Sequence, residues 1–170
     1  MGLIQLASHT VETGSEVQIV TLTGIDTENV HLLVGNNITV GSAGGICDIH
    51  ATASGTANTD SDVGINWMDL KTSGTYQVFG NATQDPIRVT DGMNVVPYST
   101  NFYMYLYNWY SSSKYKYAIM QVSSHNGSNL RGYQQGAVKK DTASFDGVRI
   151  NTNNVNGWQD GTEFTLYKVV

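Results

Sequence analysis

The stretch "NFYMYLYNWYSSSKYKYAIMQV" (residues 101–122) decides how this chain is read. Two alternating runs flank three serines. With Ser111, Ser112 and Ser113 as the turn, Tyr110 faces Lys114 and pairing continues outward. One face then carries Phe102, Met104, Leu106, Ala118, Met120 and Val122. All six are apolar, so this face is the expected core side. The other face carries Tyr103, Tyr105, Tyr107, Trp109, Tyr115, Tyr117 and Ile119, and nearly every ring has a polar tip. Successive strand side chains point to opposite faces, so a one-residue slip would mix the two sets. The pattern therefore specifies a hairpin and its register together.

The aromatic outer face has three readings. A loop or the N-terminal segment covers it as a second small core. Another subunit packs on it, since Tyr and Trp are enriched at interfaces. Or its rings stack on sugars. Burial or subunit contact is favoured over sugar binding.

Strand signals recur on both sides of this hairpin, separated by Gly, Asn and Ser. They are "VQIVTLTG" (17–24), "VHLLVG" (30–35), "GICDIHATA" (45–53), "INWMDL" (65–70), "TYQVFG" (75–80) and "IRVTDGMNVV" (87–96). "ITVG" (38–41) continues the second after an Asn-Asn turn, and residues 52–64 read as a long loop of small residues. Pro86 and Pro97 sit at expected strand ends, where proline is tolerated. No stretch sustains a helical period. Many short strands without a composition break predict one all-β domain over residues 1–170, an antiparallel sandwich or barrel.

Composition agrees. Of 170 residues, 14% are charged and 40% hydrophobic, against about a quarter charged in ordinary soluble domains. The 18 glycines, with abundant Ser, Thr and Asn, suit strands and tight turns. The net charge of −5 comes without a basic stripe, which argues against nucleic acid as a partner. No apolar run is long enough for a membrane helix, and the start "MGLIQLASHT" lacks the pattern of a secretory signal.

Motifs of chemistry are sparse. Cys47 is the only cysteine, so an internal disulfide and a Cys-based zinc site are excluded. Cys47 and His50 lie three apart, on opposite faces of a strand, and form a poor nucleophile–base couple. The expected reading is a buried Cys and a surface or loop His. Asp60 and Asp62 resemble the start of a calcium loop, but the glycine and glutamate that complete an EF-hand are missing. No GxSxG, P-loop or GxGxxG occurs. The expectation is a non-enzyme without metal or cofactor. Sequons at Asn37, Asn81 and Asn126 are chance matches in a chain rich in Asn and Thr.

The ending "FDGVRINTNNVNGWQDGTEFTLYKVV" (145–170) resembles the C-terminal signature of a jelly-roll domain in virion proteins of tailed phages, marine ones especially. The matching residues are Phe145, Asp146, Gly147, Val148, Ile150, Gly161, Thr162, Leu166 and Tyr167. Lys168 stands where that signature has glycine. "GSEVQIVTLTGID" (14–26) resembles the opening strand and its turn at Gly24, Ile25 and Asp26. "FYMYLYNW" (102–109) and "NGSNLRGYQQG" (126–136) resemble later strands in order. Residues 30–64 depart from the pattern.

The resemblance implies a β-sandwich of jelly-roll type in a structural part of a phage particle, assembled in the host cytoplasm. First comes a capsid decoration (cement) protein, a symmetric homo-oligomer with a trimer favoured, contacting the major capsid protein or other virion proteins. Second comes a tail- or head-fibre module that binds a host-surface glycan. An enzyme ranks last. The residues proposed for either contact are Tyr103, Tyr105, Tyr107, Trp109, Tyr115 and Tyr117.

Overall fold

The computed structural model describes residues 2–14, 17–60, 62–72, 74, 76–84, 86–125 and 127–170, and for residues 76, 77, 79, 82–84 and 91 the backbone alone. The sequon at Asn126 and Ser61 of the acidic loop lie outside the described residues. The strands are β1 (Leu3–Thr10), β2 (Ile19–Thr23), β3 (His31–Ile38), β4 (Gly45–Ala53), β5 (Thr56–Ala57), β6 (Val63–Lys71), β7 (Tyr76–Gln84), β8 (Ile87–Met93), β9 (Thr100–Tyr107), β10 (Lys116–His125), β11 (Leu130–Lys139), β12 (Gly147–Thr152) and β13 (Glu163–Val169).

They form two antiparallel sheets. The larger has the order β1-β13-β3-β9-β10-β11-β6-β7; the smaller is β2-β12-β4 with β5 and β8 paired to β4. The first four strands alternate between sheets. The last two then insert between them, β12 between β2 and β4 and β13 between β1 and β3. This wrapping is that of a jelly-roll sandwich. Strands β10, β11, β6 and β7 extend the larger sheet beyond the wrapped strands. One apolar cluster fills the space between the sheets, from Val20, Leu22, Ile49 and Ile150 on one side to Leu33, Met104, Leu106 and Phe164 on the other.

The hairpin has the register expected from its sequence. Tyr107 pairs Tyr117, Leu106 pairs Ala118, Met104 pairs Met120 and Phe102 pairs Val122. The apolar set is buried throughout.

Its tip differs from expectation. The ladder stops at Tyr107 and Tyr117, and residues 108–115 form the connection rather than the three serines alone. Asn108 adopts φ 58°, a left-handed conformation that Asn tolerates. The chain turns there, and Trp109 points inward. Trp109 is 0% exposed, packs on Phe145 with centroids 6.3 Å apart, and donates from Nε1 to the Gly147 carbonyl at 2.9 Å. It belongs to the core and not to the aromatic outer face.

The tip carbonyls find partners one by one. Asn108 O accepts from Ser111 N, Trp109 O from Phe145 N, and Tyr110 O from the Ser144 hydroxyl. Ser111 O and Lys114 O both accept from the Lys116 ammonium. Lys116 is fully buried, and burial lowers its pKa, with Asp141 and Glu28 opposing. Its Nζ and that of Lys139 lie 5.6 and 5.9 Å from the centroid of the Phe145 ring.

The two motifs that carried the resemblance meet beside Trp109. The Asp146 carbonyl accepts from Gly24 N at 3.0 Å and Ile25 N at 2.9 Å, and its carboxylate accepts from Ser54 N at 2.8 Å. Gly147 must be glycine, because a Cβ there would lie 2.3 Å from the Leu22 carbonyl. These residues join β2, β4 and β12.

Two further expectations are corrected. Residues 52–64 are not one loop: Ser54 and Gly55 turn β4 into the short strand β5, which pairs Thr52 with Ala57. Asn36 and Asn37 do not break the second strand; β3 runs through them with a shift of register against β9 between Gly35 and Ile38.

Candidate functional site

Alternation along the strands gives each sheet an outer face, and the two differ in chemistry. On the smaller sheet the outward side chains are mostly ionic or polar, with Ile19 and Ile46 the apolar exceptions. Arg88 pairs with Asp48 at 3.1 Å, Arg149 donates to Asn151 at 3.0 Å, and His50 stands across from Arg149. His50 thus lies on a strand, not in a loop. Cys47 points the other way, fully buried, and burial pushes its thiol pKa well above the ordinary value. The pair cannot act together.

On the larger sheet the outward positions of β9, β10, β11 and β6 hold no acidic residue, lysine or arginine. One row crosses the strands as Tyr105, Ile119, Gly136, Asn66 and Gly80; the next as Tyr103, Gln121, Gln134, Met68 and Val78; a third as Tyr107, Tyr117, Val138 and Gly64. Tyr117 is 44% exposed, Ile119 55% and Val78 65%. Monomeric proteins seldom leave contiguous apolar patches larger than a few hundred Å² uncovered.

Most of the aromatic residues singled out from the sequence share this surface. Tyr103, Tyr105 and Tyr107 stand in line along β9, the first two edge-to-face at 6.0 Å and the second two tilted at 6.5 Å. The Tyr103 hydroxyl donates to the Gln121 side-chain carbonyl. Tyr117 joins them from β10. Tyr115 is exposed but lies in the tip beyond the ladder, and Trp109 is absent from the face.

Sequence reading missed the other half of the surface. Two contiguous depressions, about 870 and 490 Å³, flank Ile119 and Gly136. The larger is walled by Tyr107, Tyr117 and Asn81, the smaller by Met68, Val78 and Gln134. The alternation in "GYQQG" (132–136) carried the signal. It places Gly132, Gln134 and Gly136 outward and Tyr133 and Gln135 inward, where both are buried.

Asp60 and Asp62 both have partners within the chain. Asp60 accepts from the Asn58 side chain at 3.0 Å, and Asp62 pairs with the buried Lys139. Among the described residues no group of three or more His, Cys, Asp or Glu is placed to hold a metal ion.

No protein-family model, curated protein or solved structure matches this chain.

Proposed function

We propose that the chain is a non-enzymatic structural protein of a tailed-phage virion, a capsid decoration protein that assembles as a symmetric oligomer, in first place a trimer, on the head surface. The observation that carries this reading is the uncharged, ring-bearing outer face of the larger sheet. Such a protein works through surfaces, and a stable contact buries about 1,600 Å² in total. Two surfaces suit that use. One is the aromatic face. The other is the free edge of the same sheet, where Leu3, Ile4 and Val170 are all exposed. The Gly24–Asp26 and Phe145–Gly147 motifs support the resemblance, because the Asp146 carbonyl accepts from Gly24 N and Ile25 N and so joins them beside the smaller sheet.

A second reading is a head- or tail-fibre module that binds a host-surface glycan. The amides Gln121 and Gln134 among the rings favour it, because sugar hydroxyls need such partners.

Immunogold electron microscopy with an antibody against this chain, on purified particles of its source phage, tests the proposal. Label over the heads supports decoration. Label confined to tails or projecting fibres replaces it with the second reading. Intact particles without label overturn the virion reading altogether.

A further inference from the structure

We propose that the glycine-floored trough beside Tyr117 binds a neutral glycan chain. This inference rests on the glycan-binding reading but not on where the chain sits in a particle. Labelling of particles and binding of sugar therefore succeed or fail separately.

The floor is the first observation. Gly136 lies mid-strand in β11 and Gly80 in β7, both facing outward, with Asn66 between them in the same row. Neither has a positive φ, so the backbone does not demand glycine at either place. A Cβ on Gly80 would meet nothing closer than the Ile65 carbonyl at 4.0 Å, and one on Gly136 nothing closer than the Asn66 side chain at 3.1 Å. Interior strand glycines weaken a sheet and mark places where a ligand or another chain approaches closely. Gly136 lines both depressions, so a side chain there would stand in the trough.

The walls are the second. Tyr107 and Tyr117, a cross-strand pair, flank one end and offer ring faces and hydroxyls. The Gln134 amide and the NH2 groups of Gln121 and Asn66 lie along the floor and the far end, while the Gln121 oxygen accepts from Tyr103 and the Asn66 oxygen from Gly136 N at 3.2 Å. Lys140 is the one charged side chain among the lining residues, at one end of the larger depression. A trough of rings and amides, with its single charge at one end, complements an uncharged ligand with apolar ring faces and many hydroxyls.

Other occupants fit less well. A second copy docked face to face would set one depression against another and leave a void, whereas interface cores pack as densely as protein interiors. An extended peptide adds to sheet edges through its backbone, and the trough is centred on β11 and β6, which are already paired on both sides by β10 and β7.

The test is affinity electrophoresis of the purified chain in gels containing mixed-linkage β-glucan, xyloglucan, galactomannan or dextran, with calorimetry on any polysaccharide that retards it. At least one should. Tyr117→Ala and Gly136→Leu should each weaken binding about tenfold, equivalent to about 1.4 kcal/mol, at unchanged Tm. Thr21→Ala, on the outer face of the smaller sheet, should leave binding as it is. If Gly136→Leu fails to fold, Tyr117→Ala decides alone. Retardation by none of the four overturns the proposal, as does undiminished binding by the folded variants. Sedimentation showing an oligomer that Tyr117→Ala dissociates would give the face to a second copy instead.

Discussion

In the body of the β9–β10 hairpin, residues 100–107 and 117–125, side chains alternate between core and outer face without exception of register. In its tip, residues 108–115, the same alternation in sequence continues but the structure abandons it. Trp109 would pair with Tyr115 on the outer face if the ladder ran on; instead it is fully buried while Tyr115 stays exposed. The body is held by a regular ladder, whose partners are fixed once the register is set. The tip is held by distant groups: Phe145, Ser144 and Gly147 reach it from the segment leading into β12. Periodicity rules where neighbours are local and repeating. It fails where a large ring finds a better site in a core built by other strands.

The sharpest way to break this contrast is Trp109→Ala. A tryptophan in a filled core should cost about 3–5 kcal/mol when truncated, measured by urea unfolding. A cost near that of a surface residue would return Trp109 to the outer face. Next in size is Lys116→Met, which keeps the length of the side chain but leaves the Ser111 and Lys114 carbonyls without their ammonium donor. We expect a loss of about 1–3 kcal/mol, the cost of an abandoned buried acceptor. A gain in stability would mean that desolvation of the ammonium outweighs its two bonds.

The body has a test of its own at its buried neighbour. His31 pairs with Leu106 on the core side, and its pKa lies below the ordinary 6.5, chiefly through burial, with Lys168 acting in the same direction and the Asn29 backbone and Asp26 opposing. The folded state therefore favours the neutral ring. This contribution is intact above pH 6.5 and is lost as pH falls through 6.5 toward the folded pKa, because the unfolded chain takes up the proton first. Unfolding curves between pH 7.5 and 5 should show stability falling, and His31→Leu should flatten that slope. An unchanged slope in the variant would remove His31 from the account.

The smallest expected effect is on the outer face. Ile119→Thr should change stability by no more than about 0.5 kcal/mol, as for surface substitutions elsewhere. A larger cost would mean that something covers the face in solution.

Much of the molecule was legible from its sequence. The six apolar residues of the hairpin, its register, the strand of residues 45–53 and the all-β class follow from alternation with period two, whereas the choice of a sandwich over a barrel came from the resemblance and not from the alternation. The aromatic face was legible for Tyr103, Tyr105, Tyr107 and Tyr117 by the same rule. The trough was not. Gly136, Asn66 and Gly80 are 14 or more residues apart in sequence, and only the pairing of β11 with β6 and β6 with β7 sets them in one row. The order of the strands was likewise beyond local reading. That β13 lies between β1 and β3 depends on contacts across the whole chain.

The sequence by itself determined which residues could face inward on each strand, because side-chain direction on an extended chain alternates regardless of context. Only the tertiary structure decided which strands are neighbours, where Trp109 goes and which outward residues form one surface. Those choices depend on burial and on hydrogen-bond partners supplied from far along the chain, and no local pattern encodes them.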